Sequence, residues 1–252
     1  MPEGIRGLNP CLLVPIYNHE STIGAVLDGL APLGLPCLVV DDGSDGSTQA
    51  TLAALALRLP WVSVERLARN AGRGAALRHG YILAARRGFT HLVQLDADGQ
   101  HSPADVPRFL AAARARPDAL VLGVPRFEGA MPLNRRYGRL LSCFWVWVET
   151  LSVTIRDPLC GFRCLPLAPT VALLARSPLG DRMDFDPELV VRLSWAGVPI
   201  VNVPVRVRYF FGGLSHFQPL RDNALISWAH TRLVFGMLWR LPGLLMGPRG
   251  AR

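Results

Sequence analysis

Carboxylates stand at two places in the chain where apolar runs end. Asp41 and Asp42 close one run, and Asp96 and Asp98 close a later one. Carboxylates gathered at one edge repel one another unless a cation or hydrogen-bond donors lie between them. Their oxygens are hard ligands suited to magnesium or manganese, which usually also take oxygens from a substrate's phosphates. The pattern therefore favours a metal-bridged diphosphate, although Asp-x-Asp also occurs by chance and Asp-Gly is an ordinary turn.

The elements that must position these residues follow a rhythm of strand, loop and helix. Four such rounds predict an α/β fold with a mostly parallel sheet covered by helices on both faces. In an open α/β sheet, ligands bind at the carboxyl ends of the strands, where both acidic pairs and Asn18 are predicted to lie. The predicted strands are Cys11–Ile16, Pro36–Val40, Trp61–Arg66, His91–Leu95 and Ala119–Gly123, and the predicted helices are Ser21–Leu30, Gln49–Leu59, Gly72–Arg87 and Pro103–Ala115.

The second half of the chain departs from this rhythm. An aromatic helix is predicted over Leu140–Leu151, and a helical, amphipathic tail is predicted from Leu220 up to Pro242. We therefore expect one domain over residues 1–219 and an appended tail over residues 220–252. Between them the patterns predict a loop at Arg156–Arg163, helices at Val171–Arg176 and Pro187–Ala196, and a strand at Val198–Arg208.

The composition is both apolar and basic. Half of the 252 residues are hydrophobic (50%), the formal net charge is +8, and all 27 basic residues are arginine. Guanidinium groups pair bidentately with phosphates and suit anionic membrane surfaces, so nucleic acid, lipid headgroups or a phosphorylated substrate could be the partner. The apolar content excludes disorder, and five scattered cysteines exclude a disulfide scaffold and indicate reduced thiols. We expect no signal peptide and no membrane span.

Two common phosphate-binding motifs are absent from the chain. No Gly-x-x-x-x-Gly-Lys-[Ser/Thr] loop is present, and the stretch from Gly72 does not complete a dinucleotide fingerprint. A kinase, a P-loop enzyme and an NAD enzyme are therefore disfavoured. A non-catalytic basic protein that binds membrane or nucleic acid is the alternative from another class. Carboxylates at the strand ends argue against nucleic acid, because they would repel its phosphates.

Five short motifs occur in a fixed order along the chain. They are Val14-Pro-Ile-Tyr-Asn18, Val39-Val-Asp-Asp-Gly-Ser44, Asn70-Ala-Gly-Arg-Gly-Ala-Ala76, Gln94-Leu-Asp-Ala-Asp-Gly-Gln100 and Cys160-Gly-Phe-Arg163. Over about residues 10–217 the chain resembles family 2 glycosyltransferases, and within them the dolichyl- or polyprenyl-phosphate sugar transferases. The resemblance implies a GT-A fold, a nucleotide-diphospho-sugar donor, a divalent metal and inversion at the anomeric carbon.

The resemblance also implies roles for residues of the donor site. Asp96 and Asp98 would bind the metal and the diphosphate, with Gln100 as a further ligand of Mg²⁺ or Mn²⁺. Arg126 matches a phosphate-contacting arginine that follows the fifth strand in the family. The residues expected around the nucleoside are Pro15, Tyr17, Asn18, Val40 and Asp42.

On the acceptor side the sequence departs from the family pattern. Arg163 matches the arginine of the family's Gly-Phe-Arg motif and would bind donor or acceptor phosphate. His216 stands where the family has a lysine, and the family's nearby arginine falls on Phe210. Arg208, two residues earlier, is the residue that could reach the same phosphate instead.

These departures leave two acceptors open. A polyprenyl phosphate is already anionic and needs no base, whereas a lipid hydroxyl or an aryl-polyene type of acceptor must lose a proton as it attacks. Asp186 is the first candidate for that base, and Glu188 is the second. Glu188 could equally open a helix, where the helix dipole favours an acidic residue.

The aromatic helix and the tail together indicate contact with a membrane. Phe144, Trp145 and Trp147 cover too much of the circumference of one helix for a single packed face. The tail adds Trp228 and Trp239 among its arginines, which is the pattern of an interfacial helix. We therefore expect a peripheral enzyme on the cytoplasmic face of the cell membrane that takes a lipid acceptor and no nucleic acid.

Overall fold

The computed structural model describes residues 8–128, 133–208 and 218–246. Within these ranges the strands are β1 (Pro10–Ile16), β2 (Cys37–Asp41), β3 (Val62–Arg66), β4 (His91–Gln94), β5 (Leu120–Glu128), β6 (Arg163–Pro166) and β7 (Ile200–Arg208). The helices are α1 (Glu20–Leu30), α2 (Gly46–Arg58), α3 (Arg73–Arg86), α4 (Val106–Ala115), α5 (Leu133–Thr150), α6 (Leu167–Arg176), α7 (Phe185–Trp195) and α8 (Pro219–Met246).

The strands form one sheet in the order β3-β2-β1-β4-β6-β5-β7. β1 pairs in parallel with β2 and β4, β2 pairs in parallel with β3, and β5 pairs in parallel with β7. β6 alone runs antiparallel to its neighbours β4 and β5. The prediction of a mostly parallel α/β sheet is therefore confirmed. β1 lies where the chain changes from one side of the sheet to the other, which is where ligands bind in such folds.

Apolar side chains fill both faces of the sheet, which explains the alternation of strands and helices. On one face, Ile23 of α1 and Phe109 of α4 pack against the strands in a single buried cluster. On the other face, Leu77 of α3 and Leu189 of α7 belong to a second buried cluster. Both faces of the sheet are covered, as a parallel sheet requires.

Strand β6 is the element that the sequence patterns miss. The loop predicted at Arg156–Arg163 is followed by a strand of four residues with burial at every position. It begins with Arg163 and ends with Pro166, so it carries neither the length nor the alternation from which strands are predicted. Its antiparallel pairing on both sides is a long-range effect, because β4 and β5 supply the hydrogen-bonding partners.

Several helix boundaries also differ from the predicted ones. Pro103–Asp105 form a 3₁₀ turn that precedes α4, whereas the pattern predicts a single helix from Pro103. α5 and α6 begin earlier than predicted, at Leu133 and Leu167. α8 continues past Pro242, which lies inside the helix.

Helix α8 packs against α5 and α7 through polar contacts as well as apolar ones. His230 Nδ1 lies 2.7 Å from Glu149 Oε1, and both side chains are buried. Arg232 Nη2 lies 3.2 Å from Glu188 Oε2. The Arg240 guanidinium stacks 4.8 Å from the centre of a Trp195 ring. The division into residues 1–219 and 220–252 stays a prediction, but α8 contributes directly to the packing of the domain.

The buried Glu149–His230 pair gives the first prediction. His230→Leu leaves the Glu149 carboxylate buried without its partner, so the free energy of unfolding should fall by about 3 kcal/mol. The double variant Glu149→Leu with His230→Leu removes both polar groups and should regain most of that loss. Urea unfolding followed by circular dichroism measures both values. Equal losses in the single and double variants would show that the pair does not stabilise the docking of α8.

Candidate active site

A cleft of about 1600 Å³ opens at the carboxyl ends of β1 and β4. One end is lined by Tyr17, which follows β1, and by Asp96, which follows β4. Arg73, the first residue of α3, lines its middle. The other end reaches between α5 and α8, where Trp145 and Phe235 face the space. The cleft therefore joins a polar half at the sheet edge to a more apolar half between two helices.

Asp42 organises the polar end of the cleft. Its carboxylate accepts hydrogen bonds from Asn70 Nδ2 at 3.1 Å and from the backbone N–H groups of Ala71 and Gly72 at 2.7 and 2.9 Å. Burial raises the pKa of Asp42 in spite of these donors. Together with Pro15, Asp42 lines the cleft where the nucleoside was predicted. The carboxylate thus shapes the loop before α3 and borders the predicted donor site.

Asn18 connects the loops that follow β1 and β2. Its φ angle is 52°, a left-handed conformation that asparagine tolerates better than most residues. The Asn18 N–H donates to Ser44 Oγ at 3.0 Å, and Asn18 Oδ1 accepts from the Asp45 N–H at 2.9 Å. Asn18 is not among the described residues that line the cleft. The contacts of Asn18 therefore position neighbouring loops.

The loop after β4 carries the predicted metal ligands. Asp96, Asp98 and Gln100 all line the cleft. Asp98 Oδ1 accepts from the Gln100 N–H at 3.0 Å, and the Arg208 N–H donates to the Gln100 carbonyl at 3.0 Å. The end of β7 thus holds this loop in place. Burial and the neighbouring Asp96 carboxylate raise the pKa of Asp98.

The donor atoms of this loop fit a hard divalent cation. Among residues 8–128, 133–208 and 218–246, no three His, Cys, Asp or Glu side chains form a closed metal cluster. The loop instead offers two carboxylates and the Gln100 amide, an oxygen donor set that leaves further coordination positions for phosphate oxygens. Within the same described ranges, no cationic group lies in ion-pairing distance of Asp98. Two carboxylates that repel each other favour a cation between them.

Arg73 is the site residue that the sequence reasoning missed. Its Nη2 lies 2.7 Å from Asp96 Oδ1, and its Nε lies 3.3 Å from Asp186 Oδ2. Burial disfavours the charged guanidinium, but the carboxylates of Asp186 and Asp96 raise its pKa above the usual arginine range. The same guanidinium lowers the pKa of Asp96 against the effect of burial. Arg73 stands inside the motif Asn70-Ala-Gly-Arg, which was noted only for its glycines.

Asp186 and Arg163 extend the row of alternating charges that begins with Asp96 and Arg73. Asp186 lines the cleft, and its Oδ1 lies 3.1 Å from Arg163 Nη2. Arg163 is fully buried, and its guanidinium donates to the carbonyl of Cys160 at 2.7 Å and to that of Pro158 at 3.4 Å. Arg163 has no exposed surface among the described residues, so in this arrangement it positions Asp186. Its role in binding phosphate stays a prediction.

Glu188, the second candidate base, lies away from the cleft. It is fully buried in the first turn of α7. Its carboxylate pairs with Arg192 at 2.7 Å and with Arg232 of α8 at 3.2 Å, and it accepts from the Gly180 N–H at 3.1 Å. Glu188 is not among the described residues that line the cleft, and its role as a base stays a prediction. Its position in the first turn of α7 agrees with the alternative prediction, in which Glu188 opens a helix.

Among the residues that the structure describes, three further predicted site residues do not line the cleft. Val40 is fully buried in the core of the sheet, so its side chain does not reach the cleft. Arg126 and Arg208 are exposed at the ends of β5 and β7, and neither is among the described residues that line the cleft. His216 lies outside the described residues. The roles of the last three in binding phosphate stay predictions.

Two glycines allow the polar loops around the cleft to approach one another closely. A Cβ on Gly161 would lie 2.1 Å from Asp96 Oδ2 and 2.8 Å from Arg73 Nη2. A Cβ on Gly72, whose φ is +107°, would lie 2.4 Å from the Asp181 carbonyl oxygen. The start of α3 can therefore approach the segment before α7, and the loop before β6 can approach the Asp96 carboxylate, only with glycine at these positions.

The fold and the cleft define a glycosyltransferase of the GT-A type. Residues 11–182 match the sequence profile of glycosyl transferase family 2. The chain belongs to this family and is a glycosyltransferase enzyme, as the order of its motifs predicts.

Named relatives share most of the chain. A polyprenol monophosphomannose synthase of Mycolicibacterium smegmatis is 35% identical over 202 residues, which is 77% of this chain and 75% of that protein. An undecaprenyl-phosphate mannosyltransferase of Micrococcus luteus is 29% identical over 203 residues, which is 77% of this chain and 81% of that protein. The predicted resemblance to polyprenyl-phosphate sugar transferases is thereby confirmed.

A solved structure supports the same fold. The glucosyl-3-phosphoglycerate synthase of Mycobacterium tuberculosis, solved in complex with Mn²⁺ and UDP-glucose, aligns with a TM-score of 0.65. The alignment covers 93% of this chain and 80% of that one, at 19% sequence identity. At this identity the likeness extends to the fold, and it agrees with the prediction of a GT-A architecture.

Asp98 gives the second prediction. Asp98→Ala removes a predicted metal ligand whose carboxylate, among the described residues, accepts a hydrogen bond only from the Gln100 N–H. Sugar transfer in the presence of Mn²⁺ should fall by at least about 10²-fold, while the unfolding midpoint stays near that of the wild type. Asp28→Ala is the matched control, because Asp28 is exposed and pairs with Arg58 away from the cleft. Near-normal turnover in folded Asp98→Ala would contradict the assignment of Asp98 as a metal ligand.

Proposed function

We propose that this glycosyltransferase moves a sugar from a nucleotide-diphospho-sugar to the phosphate of a membrane-bound polyprenyl phosphate. The reaction requires Mg²⁺ or Mn²⁺ and inverts the anomeric carbon. The named relatives support the acceptor class, since two of them are a polyprenol monophosphomannose synthase and an undecaprenyl-phosphate mannosyltransferase. The observation that carries the proposal is that the Asp186 carboxylate already pairs with two guanidinium groups.

Asp186 is poorly placed to act as a base. Its two carboxylate oxygens lie 3.3 Å from Arg73 Nε and 3.1 Å from Arg163 Nη2. Accepting a proton would weaken both ion pairs and would remove the 3.1 Å ion pair of the fully buried Arg163. A hydroxyl acceptor needs such a proton acceptor, whereas a phosphate oxygen is already anionic. The cleft therefore suits a phosphate acceptor better than a lipid alcohol.

Arginines along the cleft supply positive charge for anionic substrates. Arg182 and Arg221 line the cleft, at the nucleotide end and on α8 respectively. Arg139 of α5 also lines it and pairs with Asp157 at 2.7 Å. Guanidinium groups bind phosphate oxygens bidentately, which suits both the donor diphosphate and the acceptor phosphate.

The donor would bind at the sheet edge. Pro15 and Tyr17 would border the nucleoside, and Asp42 would fix the loop beside it. A divalent cation held by Asp96 and Asp98 would stabilise the charge that develops on the leaving nucleoside diphosphate. Gln100 would orient the same loop and offer its amide oxygen. The acceptor oxygen would attack from the opposite face, which gives inversion.

The apolar half of the cleft suits the hydrocarbon chain of a lipid acceptor. Leu141 and Trp145 of α5 line one wall, and Ile226, Val234 and Phe235 of α8 line the other. This half is continuous with the polar half that holds Asp96 and Asp186. A lipid phosphate could therefore place its head at the charged end while its chain stays among apolar side chains.

Helix α5 turns an apolar stripe outward. At 3.6 residues per turn, its exposed apolar residues share one side of the helix. The opposite side buries Glu149, Ser142 and Thr150. The outward residues are Tyr137, Leu140, Leu141, Phe144 and Trp147.

Helix α8 has a similar outward stripe. Its exposed members Trp228, Phe235, Leu238 and Trp239 share one side, with Trp239 87% exposed. Because Leu141 of α5 and Phe235 of α8 also line the cleft, the two stripes border the same opening. Exposed apolar surface of this extent marks a site of interaction, and aromatic residues beside arginines suit a lipid headgroup region. The stripes support peripheral attachment to the cytoplasmic membrane face.

No helix within the described ranges combines the length and the apolar content that crossing a membrane demands.

The acceptor class gives the third prediction. Purified enzyme with Mn²⁺ and a panel of UDP- and GDP-sugars should glycosylate undecaprenyl phosphate, and should leave undecaprenol unmodified. The physical reason is that arginines line the cleft and can bind a phosphate, whereas Asp186, the candidate base for an alcohol, already pairs with Arg73 and Arg163. Mass spectrometry of the lipid products measures both. Transfer to undecaprenol or to an aryl-polyene alcohol, without transfer to the phosphate, would overturn the proposed acceptor.

The stripes give the fourth prediction. Replacing Trp228 and Trp239 together by Ser should reduce binding to vesicles with anionic lipid by about tenfold or more, because two interfacial anchors are lost. Leu57→Ser is the matched control, since Leu57 is 88% exposed on α2 and belongs to neither stripe. Co-sedimentation with phosphatidylglycerol vesicles measures the change. Point substitutions are preferable to removal of residues 224–252, which would strip Glu149 and Glu188 of partners. Unchanged sedimentation of the double variant would rule out α8 as the anchor.

A further inference from the structure

The charge balance of the loop after β4 depends on Arg73. Asp96 and Asp98 bring two negative charges to the cleft, and Arg73 places one positive charge against Asp96 at 2.7 Å. Asp186 and Arg163, 3.1 Å apart, largely compensate each other on the far side. The loop therefore presents a net charge close to −1 to an approaching cation. A metal ion would meet both the attraction of the carboxylates and the repulsion of the guanidinium.

The guanidinium of Arg73 lies among residues of several elements. Arg73 is the first residue of α3, and its second carboxylate contact, Asp186, lies in the first turn of α7. A Cβ on the neighbouring Gly74 would lie 2.5 Å from Phe185 Cβ, so the starts of the two helices are in direct contact. The Gly161 backbone, in the loop before β6, packs closely against the Arg73–Asp96 pair. Three elements thus hold the cation beside the metal-binding carboxylates.

We propose that Arg73 couples metal binding to donor binding. With Arg73 in place, the two aspartates bind a divalent cation weakly by themselves, and the donor diphosphate supplies the missing negative charge and the missing oxygens. The metal then arrives together with the donor, which restricts metal-filled enzyme to the state that carries the sugar. Arg73 is a positioning residue in this scheme, because it acts through Asp96 and Asp186. The inference rests on the metal dependence in the proposed function.

Binding of Mn²⁺ alone, measured by electron paramagnetic resonance of the free ion, tests the coupling without any turnover. Arg73→Gln removes the charge but keeps an amide that can donate to Asp96. We expect Mn²⁺ to bind about tenfold or more tightly to this variant than to the wild type, because a cation near the site is gone. Addition of UDP or GDP should tighten Mn²⁺ binding strongly in the wild type and much less in Arg73→Gln.

Two matched variants separate this effect from a loss of packing. Arg73→Lys keeps the charge, so its affinity for Mn²⁺ should stay near that of the wild type, although an ammonium bridges two carboxylates poorly and turnover should fall. Arg78→Gln is the control on the same helix. Arg78 pairs with Asp181 at 2.8 Å and donates to the Leu179 and Gly180 carbonyls, so it ties α3 to the same segment outside the cleft. Its loss should leave Mn²⁺ affinity unchanged.

The outcomes decide between the coupling and a purely structural role. Weaker or unchanged Mn²⁺ binding in folded Arg73→Gln overturns the proposal, and so does an equal shift in Arg78→Gln or in Arg73→Lys. Arg73→Met gives the same comparison if the glutamine variant does not fold. Absence of Mn²⁺ binding in every variant, with and without nucleotide, overturns the coupling and the metal dependence together. Absence of transfer to undecaprenyl phosphate overturns only the acceptor, because Mn²⁺ binding is measured without it.

Discussion

Charge compensation at the carboxyl ends of the strands is the constraint on which the cleft depends. Asp42 is compensated by the N–H groups of the loop before α3, whereas Asp96 and Asp186 share the guanidinium of Arg73. Asp98 has only a backbone donor from Gln100 among the described residues. The partners of Asp42, Asp96 and Asp186 come from other elements of the fold. The contacts that neutralise the charges are thus also those that bring α3, α7 and the loop after β4 together.

The same principle governs the docking of α8. Glu149 and Glu188 are fully buried, and α8 provides His230 and Arg232 as their partners. Helix α8 buries Asp222 and His230 against the domain, whereas Trp228 and Trp239 are exposed on its outer side. An exposed aromatic side of this kind is stable if lipid, and not water, contacts it. Helix α8 therefore carries both the residues that close the apolar half of the cleft and the surface proposed to contact the membrane.

The sequence was informative where short-range patterns determine structure. Apolar runs gave the parallel strands, and the acidic residues that end them line the cleft at Asp42, Asp96 and Asp98, as predicted. Arg73 could not be recognised as a bridge, because its partners lie 23 and 113 residues away in sequence. Burial of Arg163 was equally hidden, since an arginine in a loop motif is normally expected at the surface. Strand β6 and these ion pairs both depend on contacts between residues that are far apart in sequence.

The sequence leaves two acceptors open, a polyprenyl phosphate and a hydroxyl-bearing lipid or aryl polyene. Only the hydroxyl acceptor requires Asp186 to accept a proton. An acidic residue at the right position is a candidate base by type, but its availability depends on what it already compensates. Arg163 Nη1 has no hydrogen-bond partner among the described residues, so Asp186 is a principal counter-charge of a fully buried guanidinium. Protonation of Asp186 during catalysis would remove the ion pair of that buried cation in a medium of low dielectric constant, which is costly. A phosphate acceptor avoids this cost, because its attacking oxygen has no proton to transfer. The burial of one arginine thus bears on the chemical class of the substrate.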